Sequence, residues 1–464
     1  MGTPDFSSLA LRDGLLKNLA SLGYATMTPI QARSLPDILD GKDVIGQAKT
    51  GSGKTAAFGL GLLSRLQPER FRIQALVLCP TRELADQVAK EIRRLARQIH
   101  NIKVLTLCGG QPIGPQFASL EHGAHIVVGT PGRIDDHLRR ERLSLQDVNT
   151  LVLDEADRML QMGFEKTIDA IVDQVPTERQ TLLFSATYPE QIQAVTRRIM
   201  HDPTIVRVDT KHDDASIEQH FFRVQDDTHR LIALRLILLQ HKPDSALVFC
   251  ATKRDAQRVA NHLWEHGLSA VALHGDLEQF DRTRALVRFA NGSVSILVAT
   301  DVAARGLDID SLDAVINFHV SRDSEVHVHR IGRTGRAGGS GVAYSLHADE
   351  ESNKLKLLAD YLDTAIVDEP LPPAEVLAQT VPPPEMVTLQ ISGGKKQKLR
   401  PGDILGALTG KQGIDGADVG KIDVFDQYAY VAVRTTRARD ALRKLASGKM
   451  KGRSFRARLI TDGM

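Results

Sequence analysis

Along most of the chain, short apolar runs alternate with longer amphipathic stretches. The runs Ala75–Cys79, His125–Gly129, Thr150–Leu153 and Thr181–Ser185 consist largely of apolar and β-branched residues, and helix-like stretches such as ELADQVAKEIRRLARQI separate them. Continuous apolar strands between helices are typical of a parallel sheet that is covered on both faces. The first part of the chain is therefore predicted to be an α/β domain.

The second part of the chain repeats this pattern with the runs ALVFC, AVALH, SILVAT and AVINF. Ala75–Ile92 (ALVLCPTRELADQVAKEI) also resembles Ala246–Leu263 (ALVFCATKRDAQRVANHL) in its strand, turn and helix. We therefore predict two related α/β domains in tandem.

Polar and proline-rich segments divide the chain. VDTKHDDAS (Val208–Ser216) follows a break at Pro203 and is predicted to be the hinge between the two α/β domains. Six of the 19 prolines lie between Asp368 and Glu385, where they exclude a helix and favour an extended, semi-rigid spacer. The predicted domains are residues 1–207, 217–367 and 386–464, and the predicted linker is residues 368–385.

The C-terminal domain is predicted to be a small α+β module. Its pattern gives strand, helix, strand, strand, helix and strand, which is the order of an RRM. Tyr428 and Tyr430 alternate on one strand face, where they can stack on bases. Ordinary strand packing is the alternative for both tyrosines, and the sequence leaves it open.

Composition narrows the class of protein. With 42% apolar and 25% charged residues in 464, the chain resembles an ordinary soluble globular protein. It contains no run of about 18 uncharged apolar residues and no secretion-signal pattern at its N-terminus, so we expect a cytoplasmic protein without a membrane partner. The three cysteines form no CxxC pair and are odd in number, which argues against a disulfide framework and a zinc site.

The charge is concentrated at the C-terminus. The net charge is +2, but the segment from Glu385 to Met464 has 16 Lys and Arg against 8 Asp and Glu. A basic domain is suited to the phosphate backbone of a nucleic acid, although a solvated basic face is the alternative for any one residue. The candidate phosphate contacts are Lys398, Arg400, Lys421, Arg434, Lys449, Lys451 and Arg453.

The segment Gly51–Thr55 (GSGKT) follows the apolar run DVIGQ. Glycine lets backbone N–H groups approach a triphosphate closely, Lys54 supplies a cation for the β- and γ-phosphates, and Thr55 supplies a hydroxyl for Mg²⁺. A flexible turn before a helix is the alternative. The segment is therefore a candidate phosphate loop.

Two acids, Asp154 and Glu155, directly follow the predicted strand Thr150–Leu153. Parallel strands present ligands at their carboxyl ends, where a phosphate loop also lies. We expect Asp154 to hold Mg²⁺, partly through water, and Glu155 to orient and deprotonate the attacking water. The alternative is a helix N-terminus, where acids complement the dipole.

Arginines in the second half offer charge for phosphoryl transfer. HRIGRTGRAG contains Arg330, Arg333 and Arg336, with glycines between them. Guanidinium groups from such a loop can stabilise charge on a γ-phosphate in trans. A solvated basic loop is the alternative.

Together, these segments resemble the motifs of the DEAD-box ATP-dependent RNA helicases over about residues 6–346. Phe6 and Gly23–Gln31 (GYATMTPIQ) resemble the Q motif, whereas AKTGSGKT, DEAD (Asp154–Asp157) and SAT (Ser185–Thr187) resemble motifs I, II and III. ATDVAARGLD and HRIGRTGR, which end at Asp308 and Arg336, resemble motifs V and VI.

The resemblance implies two RecA-like domains and an RNA-stimulated ATPase that locally unwinds structured RNA, with ATP and Mg²⁺ as cofactors. The two domains are expected to close around ATP and to complete an RNA groove. The implied ATP-binding residues are Phe6, Tyr24, Gln31, Thr50, Gly51, Ser52, Gly53, Lys54, Thr55 and Asp308. The implied catalytic residues are Lys54, Glu155, Arg333 and Arg336, and the implied coupling residues are Asp157, Ser185, Thr187 and His329.

Further motifs of the resemblance imply sequence-independent RNA contacts from hydroxyls, backbone N–H groups and a few arginines. In the first domain these are Pro80, Thr81, Arg82, Gly110, Thr130 and Arg133. In the second domain they are His274, Gly275, Arg282 and Thr300.

The order of helicase core, proline-rich spacer and RRM-like tail resembles a bacterial branch of the family that acts in large ribosomal subunit assembly. This likeness implies that the tail tethers the core to 23S ribosomal RNA. The alternative is an ATP-gated RNA clamp, or a placeholder in ribosome biogenesis, for which strand separation is incidental. A DNA translocase is disfavoured by the DEAD sequence and the tail, whereas oligomeric state and protein partners do not follow from the sequence.

Overall fold

The computed structural model describes residues 4–48, 51–208, 217–304, 312–335, 341–411 and 413–460. The described residues up to 208 belong to one compact unit, and those from 217 onwards belong to a second. The second unit contains both the second α/β domain and the C-terminal domain.

The first unit is built on seven parallel strands in the order β3-β4-β2-β5-β6-β1-β7. The strands are β1 (Val44–Gln47), β2 (Ala75–Leu78), β3 (Val104–Leu107), β4 (Ile126–Gly129), β5 (Thr150–Asp154), β6 (Gln180–Ser185) and β7 (Thr204–Arg207). The helices are α1 (Asp13–Ser21), α2 (Pro29–Leu39), α3 (Lys54–Arg65), α4 (Arg82–Leu95), α5 (Gly114–Glu121), α6 (Pro131–Arg139), α7 (Ala156–Gln161), α8 (Glu165–Val172) and α9 (Glu190–Ile199).

Alternate residues of each central strand pack on opposite faces of this sheet. Val77 and Val152 belong to one buried cluster, whereas Leu76 and Leu151 belong to another. Because side chains of a strand point alternately to its two faces, two clusters mean that both faces are covered. This is the arrangement that the continuous apolar runs predicted.

The second unit begins with six parallel strands in the order β10-β11-β9-β12-β13-β8. The strands are β8 (Ile217–Arg223), β9 (Ala246–Cys250), β10 (Ala270–Leu273), β11 (Ile296–Thr300), β12 (Ala314–Asn317) and β13 (Gly341–His347). The helices are α10 (Asp227–His241), α11 (Lys253–Glu265), α12 (Gln279–Ala290), α13 (Asp301–Ala304), α14 (Ser324–Ile331) and α15 (Ser352–Leu362).

The C-terminal domain is a four-stranded antiparallel sheet in the order β15-β16-β14-β17. Its elements are β14 (Met386–Ile391), α16 (Pro401–Thr409), β15 (Val419–Val424), β16 (Ala429–Arg434), α17 (Ala438–Ser447) and β17 (Ala457–Leu459). The predicted fold class, two parallel α/β domains and a small α+β domain, is therefore confirmed.

The linker segment is packed on the second α/β domain instead of forming a free spacer. The N–H of Glu369 donates to the carbonyl of Phe221 at 2.8 Å, which joins the segment to β8. Further along, Val376 is buried against Leu236 and Leu239 of α10. The proline-rich composition predicted no helix, but the segment forms a short 3-10 helix at Ala374–Ala378. The composition also did not reveal these apolar anchors.

The two faces of the C-terminal sheet have different partners. Leu389 and Val431 pack with Ile404 and Leu445 of the two helices. The opposite face meets α12 and the turn that follows it, where the Thr388 hydroxyl donates to the Ser293 hydroxyl at 2.8 Å. The sheet of the C-terminal domain is thus covered on both sides.

Candidate functional site

The phosphate-loop glycines lead directly into α3. Gly51 and Gly53 have φ angles of 82° and 92°, which glycine adopts without the steric cost of a Cβ. Lys54, the first residue of α3, is buried and donates from Nζ to the Ala48 carbonyl at 2.8 Å. Because the first N–H groups of a helix have no partner within it, this loop is suited to an anion. Thr50 lies outside the described residues.

The acidic residues lie on the same edge of the sheet as the phosphate loop. Strand β5 neighbours β6, which neighbours β1, and all three are parallel, so their carboxyl ends share one edge. The structure extends β5 to Asp154, one residue beyond the predicted end. Glu155 follows with φ 53° and ψ 51°, a left-handed conformation that is uncommon for a residue with a Cβ.

Asp154 is buried without a full set of hydrogen bonds. Burial raises the pKa of its carboxyl to about 7, although the ammonium group of Lys54 acts in the opposite direction. Its Oδ1 atom is buried and has no hydrogen-bond partner within the described parts of the chain. Buried polar atoms are normally paired, so an orphaned carboxylate oxygen at this edge is compatible with a cation ligand.

Arg158 forms a buried ion pair with Glu155, with 2.7 Å between Nη1 and Oε2. Sequence reasoning did not single out this arginine. Its i, i+3 spacing from Glu155 was the available signal, since residues at that spacing are neighbours on a helix surface. The carboxylate of Glu155 is thus held by a cation of its own segment.

Asp157 connects the acidic segment to β6. Its N–H donates to the Ser185 hydroxyl at 3.3 Å, and its Oδ2 accepts from both the N–H and the hydroxyl of Thr187, each at 3.1 Å. Two strand ends of the sheet are therefore joined through one carboxylate.

Phe6 and Tyr24 form an edge-to-face pair with 6.0 Å between ring centroids. Phe6 is buried, and the Tyr24 hydroxyl donates to Glu91 at 2.6 Å and accepts from Arg94 at 2.8 Å. These contacts fix the N-terminal segment to α4. Adenine stacking by these rings stays a prediction.

Gln31 contacts the phosphate loop. Its Oε1 accepts from the N–H of Thr28 at 2.9 Å, and its Nε2 donates to the carbonyl of Gly53 at 3.0 Å. A Cβ at Gly53 would lie 2.5 Å from this Nε2 atom, which adds a second reason for glycine there. Gln31 therefore holds the loop, and the predicted contact with the adenine edge stays a prediction.

In the second unit, Arg330 is committed to the fold. Its guanidinium group forms two hydrogen bonds with Asp301, at 2.6 and 2.8 Å, and a third with Asn317. These bonds support a structural role for Arg330, and its predicted contact with a γ-phosphate stays a prediction. Arg333 is also buried, and His329 lies on α14. Asp308 and Arg336 lie outside the described residues.

The RNA-contact candidates of the first unit gather at the carboxyl ends of the neighbouring strands β2, β4 and β3. Thr81 caps α4 by accepting from the N–H of Leu84, and Thr130 precedes α6. Arg82 lies against Gly110, where a Cβ would come within 1.6 Å of its Nη1 atom. Pro80 and Arg133 complete the group at the ends of β2 and β4.

The candidates of the second unit lie at the carboxyl ends of β10 and β11, which are neighbours. His274 and Gly275 follow β10, and Thr300 ends β11. Arg282 donates to the His274 carbonyl at 3.4 Å. The structure therefore brings these four residues to one sheet edge.

The tyrosines of the C-terminal domain face α12. Tyr430 is 0% exposed, and Tyr428 contacts Phe280 edge-on with 5.2 Å between ring centroids. In this arrangement Tyr430 cannot stack on a base, so the structure favours the packing alternative for this residue. This partner surface could not be predicted from the local sequence, because α12 lies more than a hundred residues away along the chain.

Two basic loops of the C-terminal domain meet at one corner. Lys398 and Lys451 are exposed and have left-handed φ angles of 62° and 51°. The Nζ atom of Lys451 lies 3.4 Å from Asp403, whose carboxylate also accepts from the N–H of Arg400. With Arg453, these residues form a basic patch, which we call the loop corner (Lys398, Arg400, Lys451 and Arg453).

The other basic candidates of this domain lie elsewhere. Arg434 lies 3.5 Å from Asp418 and 3.8 Å from Glu385. Lys421 is exposed on β15, and Lys449 lies between α17 and the loop corner. Arg434 is thus partly neutralised by acids, unlike the exposed lysine of β15.

Three family models match consecutive parts of the chain. A DEAD/DEAH box helicase model matches residues 28–195, and a model of the helicase conserved C-terminal domain matches residues 228–338. A model of the DbpA RNA-binding domain matches residues 388–459. Each match falls within one of the three domains described above.

Relatives resemble the chain over most of its length. It is 56% identical over 456 residues to the ATP-dependent RNA helicase DbpA of Escherichia coli (strain K12), covering 98% of this chain and 99% of that protein. It is 46% identical over 351 residues to the DEAD-box ATP-dependent RNA helicase CshA of Geobacillus kaustophilus (strain HTA426), covering 75% of each chain.

A solved structure shares the fold of the core. S. cerevisiae Dbp5 bound to RNA and ADP BeF3 matches with a TM-score of 0.70 and 30% identity, covering 79% of this chain and 95% of that one. Among the described residues, no helix is long and apolar enough to span a membrane. From the motifs, the two RecA-like sheets and these matches, we conclude that the chain belongs to the DEAD-box ATP-dependent RNA helicases and carries an RNA-binding domain of the DbpA type.

Proposed function

We propose specific roles in ATP hydrolysis for the residues at the edge of the first sheet. The N–H groups of Gly51–Gly53 and the Lys54 ammonium bind the phosphates, and Glu155 orients the attacking water and takes its proton. The left-handed backbone of Glu155 supports this role, since strained conformations of residues with a Cβ cluster at functional sites. The ion pair with Arg158 holds the carboxylate in place.

Thr55 and Asp154 would hold Mg²⁺. Among the described residues the Oδ1 atom of Asp154 has no hydrogen-bond partner, which supports this assignment because a hard cation prefers oxygen ligands. Bound Mg²⁺ would neutralise negative charge on the phosphate oxygens. Lys54 would exchange its bond with the Ala48 carbonyl for one with a phosphate oxygen.

For the RNA target, we propose that the C-terminal domain tethers the helicase core to 23S ribosomal RNA. The family likeness of the whole chain suggests this target. The basic residues of the loop corner are the observation that supports an RNA-binding site in this domain. Its lysines keep left-handed conformations, which cost roughly 1 kcal/mol each in a residue with a Cβ. Because the sheet face is covered by α12, phosphate contacts from loops are the mode that the structure favours.

Crosslinking followed by sequencing tests this target directly. RNA would be crosslinked in cells to the full-length protein and to a variant with glutamine at all four positions of the loop corner. We expect reads from one region of 23S ribosomal RNA with the natural protein and a loss of this enrichment with the variant. Reads spread over unrelated RNAs with the natural protein would contradict the tether.

A further inference from the structure

A buried polar pair lies beside the loop at residues 109–111 of the first unit, which we call the glycine loop. Gln116 of α5 and His137 of α6 are both buried, with 2.8 Å between Oε1 and Nε2. The Nε2 atom of Gln116 donates to the carbonyl of Cys108 at 3.0 Å, directly before Gly109 and Gly110. One amide therefore joins α6 to the start of the glycine loop.

The hydrogen bonds define the protonation of this pair. Since the amide nitrogen of Gln116 donates to a carbonyl, its Oε1 must accept, and His137 must carry its proton on Nε2. The Nδ1 atom of His137 is buried and has no partner among the residues that the structure describes. Burial and the nearby Arg133 lower the pKa of His137, so the imidazole acts as a neutral donor.

The other end of the loop is held from the same helix. Arg133, four residues before His137 on α6, donates from Nη2 to the carbonyl of Gln111 at 3.0 Å. Residues at this spacing are neighbours on a helix surface. The glycine loop is therefore fixed to α6 at Gln111 through Arg133 and at Cys108 through Gln116.

If these two residues served only to pack the core, apolar side chains would fill the same space without a desolvation cost. Burying an amide and an imidazole carries a desolvation cost that is offset only when each donor and acceptor is paired, whereas leucines of similar size carry none. Polar partners fix an orientation that apolar packing does not. The oriented element here is a loop with a left-handed glycine, Gly110, at its centre.

We propose that Gln116 and His137 are positioning residues that hold the glycine loop in register with α6 for binding the RNA backbone. This inference rests on the predicted role of Gly110 and Arg133 as RNA contacts, which the family resemblance implies. Neither member of the pair would touch RNA. Their loss would weaken the grip on RNA without changing the nucleotide site.

RNA-stimulated ATP hydrolysis by the full-length protein tests the proposal, with single-stranded oligouridylate as the probe. We expect Gln116→Leu and His137→Leu to raise the RNA concentration for half-maximal stimulation about tenfold, with KM for ATP and kcat at saturating RNA unchanged. Gln116→Glu should act like Gln116→Leu, because it keeps the acceptor for His137 but loses the donor to Cys108. His137→Gln, which can still donate to Gln116, should stay within about twofold.

Two controls separate the possible failures. Ser119→Ala, on the same helix as Gln116, should leave RNA stimulation unchanged, and Arg133→Ala should raise the half-maximal RNA concentration. If Arg133→Ala has this effect but the leucine variants do not, the positioning role is wrong and the RNA contact stands. If Arg133→Ala has no effect either, the proposed RNA contact of this loop is wrong. Leucine variants that lower Tm without shifting the RNA dependence would show packing alone and overturn the inference.

Discussion

The carboxylate of Asp157 accepts two hydrogen bonds from Thr187, one from the backbone N–H and one from the side-chain hydroxyl, each at 3.1 Å. This contact ties the segment that carries Glu155 to the segment that follows β6. Together with the bond from the Asp157 N–H to the Ser185 hydroxyl, this contact is a direct physical link between the two segments.

We predict that Thr187→Val separates ATP hydrolysis from strand separation. Valine keeps the shape and the N–H contact but removes the hydroxyl, a bond to a charged group worth about 1.5 to 3 kcal/mol. Hydrolysis should stay within about threefold, whereas unwinding of a short RNA duplex should fall about tenfold. Thr187→Ser, which keeps the hydroxyl, is the matched control. Equal losses of both activities would argue against a coupling role.

Glu155→Gln should bind ATP and RNA but hydrolyse ATP poorly. The amide keeps the size of the side chain but cannot accept the proton of the attacking water, and general bases contribute about 10² to 10⁴ in rate. Single-turnover hydrolysis and equilibrium binding of a fluorescent ATP analogue measure the two effects separately. Glu165→Gln, an exposed carboxylate on α8, is the control. Turnover near the natural rate would show that Glu155 is not the base.

His327 should make the stability of the second unit depend on pH. Burial lowers its pKa to about 4 from an ordinary 6.5, so between these values the folded state binds fewer protons than the unfolded state. The free energy of unfolding therefore rises by up to about 3 kcal/mol as the pH increases across this window. The same contribution is lost as the pH falls. Urea denaturation at pH 5 and pH 7.5 measures the difference.

His327→Gln is the matched variant for this effect. Glutamine can still donate to Gln219, the present partner of the imidazole at 3.1 Å, but it does not titrate. We expect a smaller difference between the two pH values in the variant. An unchanged difference would assign the pH dependence to other groups.

Tyr430 should matter for stability and not for RNA affinity. Tyr430→Leu fills most of the buried site but has no ring to stack on a base, so RNA affinity should change less than twofold if the residue only packs. Tyr430→Ala should lower the free energy of unfolding by about 3 to 5 kcal/mol, as for other large buried rings. Fluorescence anisotropy with labelled RNA measures affinity. A tenfold loss in the leucine variant would restore the stacking interpretation.

The local features of the first sheet could be predicted from sequence. An apolar run such as Thr150–Leu153 predicts a buried strand because the signal lies in the consecutive apolar residues of the run itself. Gly51–Gly53 and the acids Asp154 and Glu155 were predicted at one edge of the sheet, where the structure has them, because parallel strands share one direction. Several strand ends differ from the predicted runs by one residue, as at Asp154, the last residue of β5.

Contacts between distant segments could not be predicted in this way. Thr388 bonds Asn291, 97 residues away, and Val376 packs on α10 from within a proline-rich segment. The ion pair of Arg330 with Asp301 was not predicted, because Asp301 lies in another motif 29 residues away. Periodicity and spacing describe one element at a time, whereas these contacts depend on how the elements pack together.

The RNA dependence of ATP hydrolysis tests the central claim most directly. The full-length protein would be compared with a variant in which glutamine replaces all four residues of the loop corner. The control replaces four other basic residues of the same domain with glutamine, namely Arg437, Arg439, Arg443 and Lys444.

The two RNAs would be a fragment of 23S ribosomal RNA and an unrelated RNA of the same length. We predict that the natural protein and the control respond to the ribosomal fragment at a concentration at least tenfold lower than to the unrelated RNA, and that the loop-corner variant has lost this preference. Equal responses of the natural protein to both RNAs, or a preference that survives in the loop-corner variant, would contradict the account.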